Sequence, residues 1–222
     1  DDHISNTPKQ IALYRALGHA PPIFAHVPMI LGPDGKKLSK RHGATAVGDY
    51  QNQGILPLAM RNFLALLGWS PGGDREILPE EEMIALFSLE GIQKKAAVFD
   101  LAKLEWMNGQ YLSQRPAAEL EGPVRHHLGE MGVDLRGRPL VPLIDAVKTR
   151  SRTLLDIATQ VAVRVDARRV TRDAKGTQLA QKLGEAFATN LGLVGAALEA
   201  LPEAEWTPPA LETALKALAE RE

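Results

Sequence analysis

The chain is rich in Ala and Leu and poor in β-branched runs, with aromatic residues at only 5% of 222. That balance constrains the fold more than any other feature, because it favours helix through most of the length. A single short apolar run, IFAHVPMIL (23–31), reads as a strand. Pro28 places it at an edge or a strand end. Helices are expected over 7–17, 57–69, 79–87 and 100–112, and then over 117–131, 139–149, 151–163, 174–191, 193–201 and 208–221. Thr7 and Pro8 suit a helix start, Gly18 a stop, and Asp100 a cap. SQRPAAELEGP (113–123) is the best linker, with a boundary near 115 and a smaller one near 44.

Charge and chemistry narrow the function classes. Twenty-six Lys and Arg against 27 Asp and Glu give a net charge of −1, which rules out a uniformly basic nucleic-acid coat but not local basic patches. With no cysteine, disulfides, thiolate nucleophiles and Cys-type zinc sites are excluded. The same absence fits a cytosolic chain. No apolar run reaches the roughly 18 residues that a membrane helix needs, and no signal peptide is visible.

The stretch most suggestive of chemistry is GPDGKKLSKRHG (32–43), in which four of six residues from 36 to 41 are basic. Glycines let backbone N–H groups approach a ligand, and lysines supply positive charge, so the loop suits a polyphosphate. It is equally a solvated basic turn on spacing alone. It is not a Walker A loop, since Gly32-x-x-Gly35-Lys36-Lys37 has the wrong spacing. Asp1, Asp2 and His3 form a terminal acidic–His cluster too small to assign to a metal, and His126-His127 reads as a surface pair. Trp69, Phe99 and Trp106 read as core. A second basic concentration runs through Lys148, Arg150, Arg152, Arg164, Arg168, Arg169, Arg172 and Lys175. Such residues suit phosphates or base edges.

Four blocks carry a resemblance: DDHISNTPKQIALYRALG, FAHVPMILGPDGKKLSKRHGA, LPLAMRNFLALLGWSPG and AVFDLAKLEWMNGQYL. In order and spacing they resemble bacterial-type glutamyl-tRNA synthetases, and KLSKR (37–41) resembles the KMSKS-type signature of class I aminoacyl-tRNA synthetases. The match is dense over 1–113 and weaker beyond, where KTRSRTLLD is the main landmark.

The resemblance implies a mainly α chain in three parts. Residues 1–43 would be the C-terminal strip of a Rossmann-like catalytic domain, 44–115 a helical stem-contact region, and 116–222 an incomplete α-helical anticodon-binding domain. It implies ATP-dependent activation of glutamate to glutamyl-adenylate, followed by transfer to the 3′ end of tRNA(Glu). ATP would enter with Mg²⁺ as substrate, with no protein metal ligand, and tRNA(Gln) stays open as a second acceptor. On the same resemblance the protein is a cytoplasmic monomer with no membrane partner. The HIGH-like signature and the glutamate pocket lie outside these residues, so the chain alone would be an inactive fragment.

Site residues follow from the same resemblance. Lys40 would contact the ATP phosphates in the transition state, and Lys37 would support it. Ser39 would steady the loop or donate a hydrogen bond, Arg41 fills the last signature position, and Leu38 packs. Met29, Ile30 and Leu31 would contact adenine through main-chain groups, with Asp2 and His3 beside the ribose. Arg61 and Arg152, together with Lys94, Lys95 and Lys103, are candidates for tRNA phosphates. Arg150 would read the third anticodon base. A glutaminyl-type enzyme is disfavoured because its anticodon region is built from β-barrels, whereas 117–222 reads as helical. A non-catalytic tRNA-binding module is the alternative from a different class.

Overall fold

A computed structural model describes residues 2–43, 46–171 and 173–220, apart from the side chains of Lys40 and Glu203. Among the described residues there are ten α-helices joined by turns and short 3₁₀ segments, and no strand longer than an isolated bridge. The chain separates into two compact units, Asp1–Arg169 and Val170–Glu222. None of the helices is long and apolar enough to cross a membrane, among the described residues.

The first unit opens with α1 (Thr7–Ala16), which has Pro8 in its first turn and ends before Gly18, at φ 74°. None of its residues is buried. The run 23–31 does not become a strand. Backbone bonds gather at the end of the run: Leu31 N–H donates to Ala97 O at 2.8 Å, Leu31 O accepts from Phe99 N–H at 2.8 Å, and Ile30 O accepts from Leu38 N–H at 3.0 Å. A strand needs a row of such partners, and Pro28 can donate none.

Next come α2 (Val47–Asn52), α3 (Pro57–Leu66), α4 (Glu80–Leu86) and α5 (Leu101–Gln114). The acids of α4 sit in its first turn, where the helix dipole favours them. Asp100 caps α5 by accepting from Lys103 N–H. One buried cluster joins Tyr50, Ile55, Met60, Phe63, Phe99, Leu104 and Met107, and Leu38 of the basic loop packs against it. Phe63 and Phe99 meet edge to face at 5.0 Å. Trp69 is buried with Leu78 and Met83.

The segment expected as a linker is almost entirely helix. Between α5 and α6 (Ala117–Glu130) only Arg115 and Pro116 intervene. Pro123 lies inside α6 and removes one helical hydrogen bond, which costs about 3 kcal/mol. Leu120, Val124 and Leu128 are fully buried on either side of it. At roughly 1.5–3 kcal/mol each, their burial outweighs the proline. They face α7 (Leu140–Asp145) and α8 (Leu154–Val165) through Leu140, Ile144, Ile157 and Val161. The same buried cluster includes Leu56, Ala59, Tyr111 and Leu112, so the packing is continuous across position 115.

Gly54 locks the start of α8 to the turn after α2. Its φ is 81°, and a Cβ there would lie 2.7 Å from the backbone nitrogens of Leu154 and Leu155. Its carbonyl accepts from Leu154 N–H at 3.0 Å. Gly54→Ala is therefore expected to destabilise the protein by about 2 kcal/mol or more, read as a fall of at least ~4 °C in the thermal midpoint. Gly48→Ala is the control, since a Cβ at that helical position meets nothing within 4 Å and should leave the midpoint unchanged or raised.

The second unit holds α9 (Ala174–Glu199) and α10 (Pro208–Ala219). Asp173 caps α9 by accepting from Gly176 N–H at 2.6 Å. The helix breaks at Gly184, at φ 58° and ψ −150°, rather than near 192 as the sequence suggested. That conformation is open essentially to glycine alone.

Candidate functional site

Two features in the first unit bring chemistry-bearing side chains together. The first is a cleft of about 580 Å³ between α1, the run 24–30 and the start of the basic loop. That volume falls in the range of small-molecule sites. Phe24, Met29 and Ile30 supply apolar lining, while Asp2, His3, Thr7, Gln10, His26 and Lys37 supply polar groups. Lys37 Nζ donates to Asp2 Oδ2 at 2.5 Å, and this cation holds the Asp2 carboxyl below the ordinary carboxylate range. Thr7 Oγ1 and His26 Nε2 are 2.9 Å apart.

The basic loop hangs from a two-sided base. Leu31 is pinned to Ala97 and Phe99, and Leu38 N–H donates to Ile30 O at 3.0 Å. At the tip, Asp34 accepts from Lys36 N–H at 3.0 Å and from Arg41 Nη2 at 3.1 Å. Chiefly the Lys36 N–H, then His42 and Arg41, pull the Asp34 carboxyl below its usual range. Lys40, Arg41 and His42 form a 3₁₀ turn, and Ser39 N–H donates to His42 Nδ1 at 3.1 Å.

The cleft thus collects Asp2, His3, Met29, Ile30 and Lys37 from the expected set. Leu31, Ser39 and Arg41 are not among its lining residues. Leu31 commits both main-chain groups internally and Ile30 its carbonyl, and Met29 and Ile30 are the part of that segment lining the cleft. The Lys40 side chain and Asp1 lie outside the described residues. The sequence reading missed Gln10, Phe24, His26 and His42. Of these only His42 carried a local signal, since it directly follows the basic run.

The second feature is a shallow crevice of about 160 Å³ between α5 and the 3₁₀ turn Lys148–Arg150. It is lined by Trp106, Gln110, Ser113, Thr149, Arg150 and Arg152, among others. Neither guanidinium has a hydrogen-bond or ion-pair partner among the described residues. Trp106, expected in the core, is 39% exposed here. An aromatic face beside two unpaired arginines suits a nucleic-acid backbone and base.

Other expected cations are engaged elsewhere. Arg61 of α3 pairs with Glu80, and Lys103 with Glu76. Lys148 Nζ donates to Arg115 O at 2.8 Å and to Asp145 Oδ1 at 3.0 Å. Arg168 and Arg169 both pair with Asp166. The hydrogen bond from Arg168 takes the Asp166 carboxyl down to about 2. Arg172 lies outside the described residues, while Lys94 and Lys95 are exposed. His126 is on the surface as expected, but His127 is buried with Nδ1 3.2 Å from Glu130 Oε2. No group of three or more His, Asp or Glu that could hold a metal exists among the described residues.

Comparison with known proteins gives a consistent pattern. The family profile described as "tRNA synthetases class I (E and Q), catalytic domain" matches residues 1–106, and "Anticodon binding domain" matches 104–222. The chain is 50% identical over 159 residues to glutamate–tRNA ligase 1 of Alkalilimnicola ehrlichii, covering 71% of this chain and 34% of that protein. Glutamate–tRNA ligase 2 of Koribacter versatilis is 52% identical over 161 residues, with the same coverage. The chain therefore spans about a third of the length of these relatives. The crystal structure of a glutamate tRNA ligase from Elizabethkingia meningosepticum in complex with its amino acid superposes with a TM-score of 0.76 at 27% identity. That match covers 99% of this chain and 46% of the other.

Proposed function

Because this chain belongs to the glutamate–tRNA ligase family of class I synthetases, we propose that it supplies the ATP loop and tRNA-binding regions of an enzyme that joins glutamate to tRNA. In the proposed reaction, ATP bound as its Mg²⁺ complex is attacked at the α-phosphorus by the glutamate carboxylate. Pyrophosphate leaves, giving glutamyl-adenylate, and the 3′-terminal hydroxyl of tRNA(Glu) then takes the glutamyl group with release of AMP. The roles divide as residues 1–43 for ATP, 44–115 for the tRNA stem and 116–222 for the anticodon. A monomeric, cytoplasmic enzyme is part of the same reading.

The observation that carries the ATP assignment is the cleft with Lys37 at its edge and the basic loop hung beside it. Main-chain and apolar groups of Met29 and Ile30 would take the adenine, with Asp2 and His3 on the ribose side. Negative charge builds along the phosphates as pyrophosphate departs, and preorganised cations lower that barrier. A loop fixed at its base and carrying the cations at its tip can close over ATP and reopen for product.

A second reading, a non-catalytic tRNA-binding module, is favoured by the unpaired Arg150 and Arg152 beside Trp106. Charging assays on the full-length protein separate the two. Glutamate should be joined to tRNA(Glu), and tRNA(Gln) assayed alongside decides discrimination. Charging of neither tRNA, with binding intact, would leave the module. Within the enzyme reading, Arg150→Ala is expected to reduce selectivity between tRNAs that differ only in the third anticodon base by about 10- to 100-fold. Glutamyl-adenylate formation should be unchanged. Equal selectivity in mutant and parent would remove Arg150 from anticodon reading.

A further inference from the structure

We infer that His42 is the positioning residue of the basic loop, an inference that rests on the ATP-loop reading above. Its side chain is only 11% exposed, and its ring lies flat against Gly32, where a Cβ would come within 2.8 Å of ring atoms. The imidazole reaches both ends of the loop. Ser39 N–H approaches Nδ1 at 3.1 Å, and Nε2 stands 3.1 Å from Asp34 Oδ1. A backbone N–H can only donate, so Nδ1 is the acceptor and the neutral ring carries its proton on Nε2, which donates to Asp34. Arg41 Nε–H also points at Nε2, from 3.3 Å; this is the longer of the two contacts there, and in the Nε2–H tautomer it yields to the bond that Asp34 accepts.

This arrangement closes a ring of contacts. Asp34, in the GPDG turn, is tied to Lys36 N–H, to Arg41 and to His42, while His42 is tied back to Ser39. The segment from Lys36 to Arg41 is therefore clamped at the turn before it and at the 3₁₀ turn that ends it. Neither His42 nor Asp34 needs to touch ATP. The clamp's role is to set where the backbone of residues 37–40 stands, and a displacement of about 1 Å in a catalytic group can cost on the order of 10²-fold.

The test uses the full-length protein with His42→Ala and His42→Asn, whose amide oxygen can take the place of Nδ1 as acceptor for Ser39 N–H. Glutamate-dependent ATP–pyrophosphate exchange, run with tRNA(Glu) present, should show kcat in His42→Ala reduced about tenfold or more, with KM for ATP within about twofold. His42→Asn should recover most of the lost kcat. Wild-type kcat in His42→Ala, or equal losses in both variants, would overturn the inference. ¹⁵N-histidine NMR of the wild type provides a readout independent of catalysis. The Nε2–H tautomer is expected at neutral pH, and an Nδ1–H tautomer would overturn the clamp. Absence of exchange in the wild type would instead count against the ATP-loop reading, with the tautomer still deciding the clamp.

Discussion

Lys40→Ala in the full-length protein is expected to reduce glutamate-dependent ATP–pyrophosphate exchange, measured with tRNA(Glu) present, by about 10²- to 10³-fold, the scale seen when one preorganised transition-state contact is removed. The neighbouring cations explain why so much falls on one residue. Lys37 is already held by Asp2 at 2.5 Å and Arg41 by Asp34 at 3.1 Å. Both would have to exchange a carboxylate for a phosphate before contributing, so the gain from each is a difference between two ion pairs. These pairs are exposed, and such pairs are individually weak, so they can be displaced by a polyphosphate. Lys37→Ala should therefore have a smaller effect than Lys40→Ala. The affinity for tRNA should change by no more than one phosphate contact, seen as a decrease of about 1 in the salt slope. The outcome that would refute the loop assignment is an exchange rate for Lys40→Ala within twofold of wild type. The RNA-module reading predicts that the salt slope is the only quantity to move.

Much of this arrangement was legible before any coordinates. Apolar spacing located α3 and α5, with Asp100 marking the start of α5, and the Ala- and Leu-rich composition located α6, α8 and α10 as helical segments. The loop 32–43 stood out from its charge and glycines. What the sequence misplaced were features decided by partners far along the chain. The run 23–31 has the composition of a strand, yet the backbone bonds of Ile30 and Leu31 to residues 38, 97 and 99 do not extend into a ladder. Pro116 and Pro123 look like linker punctuation, but burial of Leu120 and Val124 keeps the helix intact. Trp106 was assigned to the core by residue type, although its position on α5 leaves it beside Arg150 and Arg152. His127 was assigned to the surface, although it follows the buried face of α6. The clamp of Asp34 and His42 spans |i−j| of 8 and has no periodic signature, so composition could mark the loop but not its geometry.

Asn108→Ala is expected to cost about 3 kcal/mol of folding stability, or a fall of roughly 6–12 °C in the thermal midpoint for a chain of this size. Asn108 is fully buried on α5, and its amide joins three segments. Oδ1 accepts from Leu56 N–H at 2.8 Å, while Nδ2 donates to Gly54 O at 3.2 Å and to Arg152 O at 2.6 Å. Truncation leaves the buried Leu56 N–H without an acceptor, at about 1–3 kcal/mol, and withdraws a donor from two carbonyls. Asn108→Asp separates shape from chemistry. It preserves volume and the contact to Leu56, but it turns a second carboxylate oxygen toward the carbonyls of Gly54 and Arg152. Lone pairs would then oppose lone pairs around a buried charge, so Asp is expected to be at least as damaging as Ala. The two contacts from Nδ2 also bear on the second site. They fix the backbone at Arg152 and the turn on which α8 starts, so both variants should weaken tRNA binding at temperatures where the protein is still folded. A midpoint for Asn108→Asp within about 2 °C of wild type would show that packing alone holds this junction, and that the amide's hydrogen bonds do not.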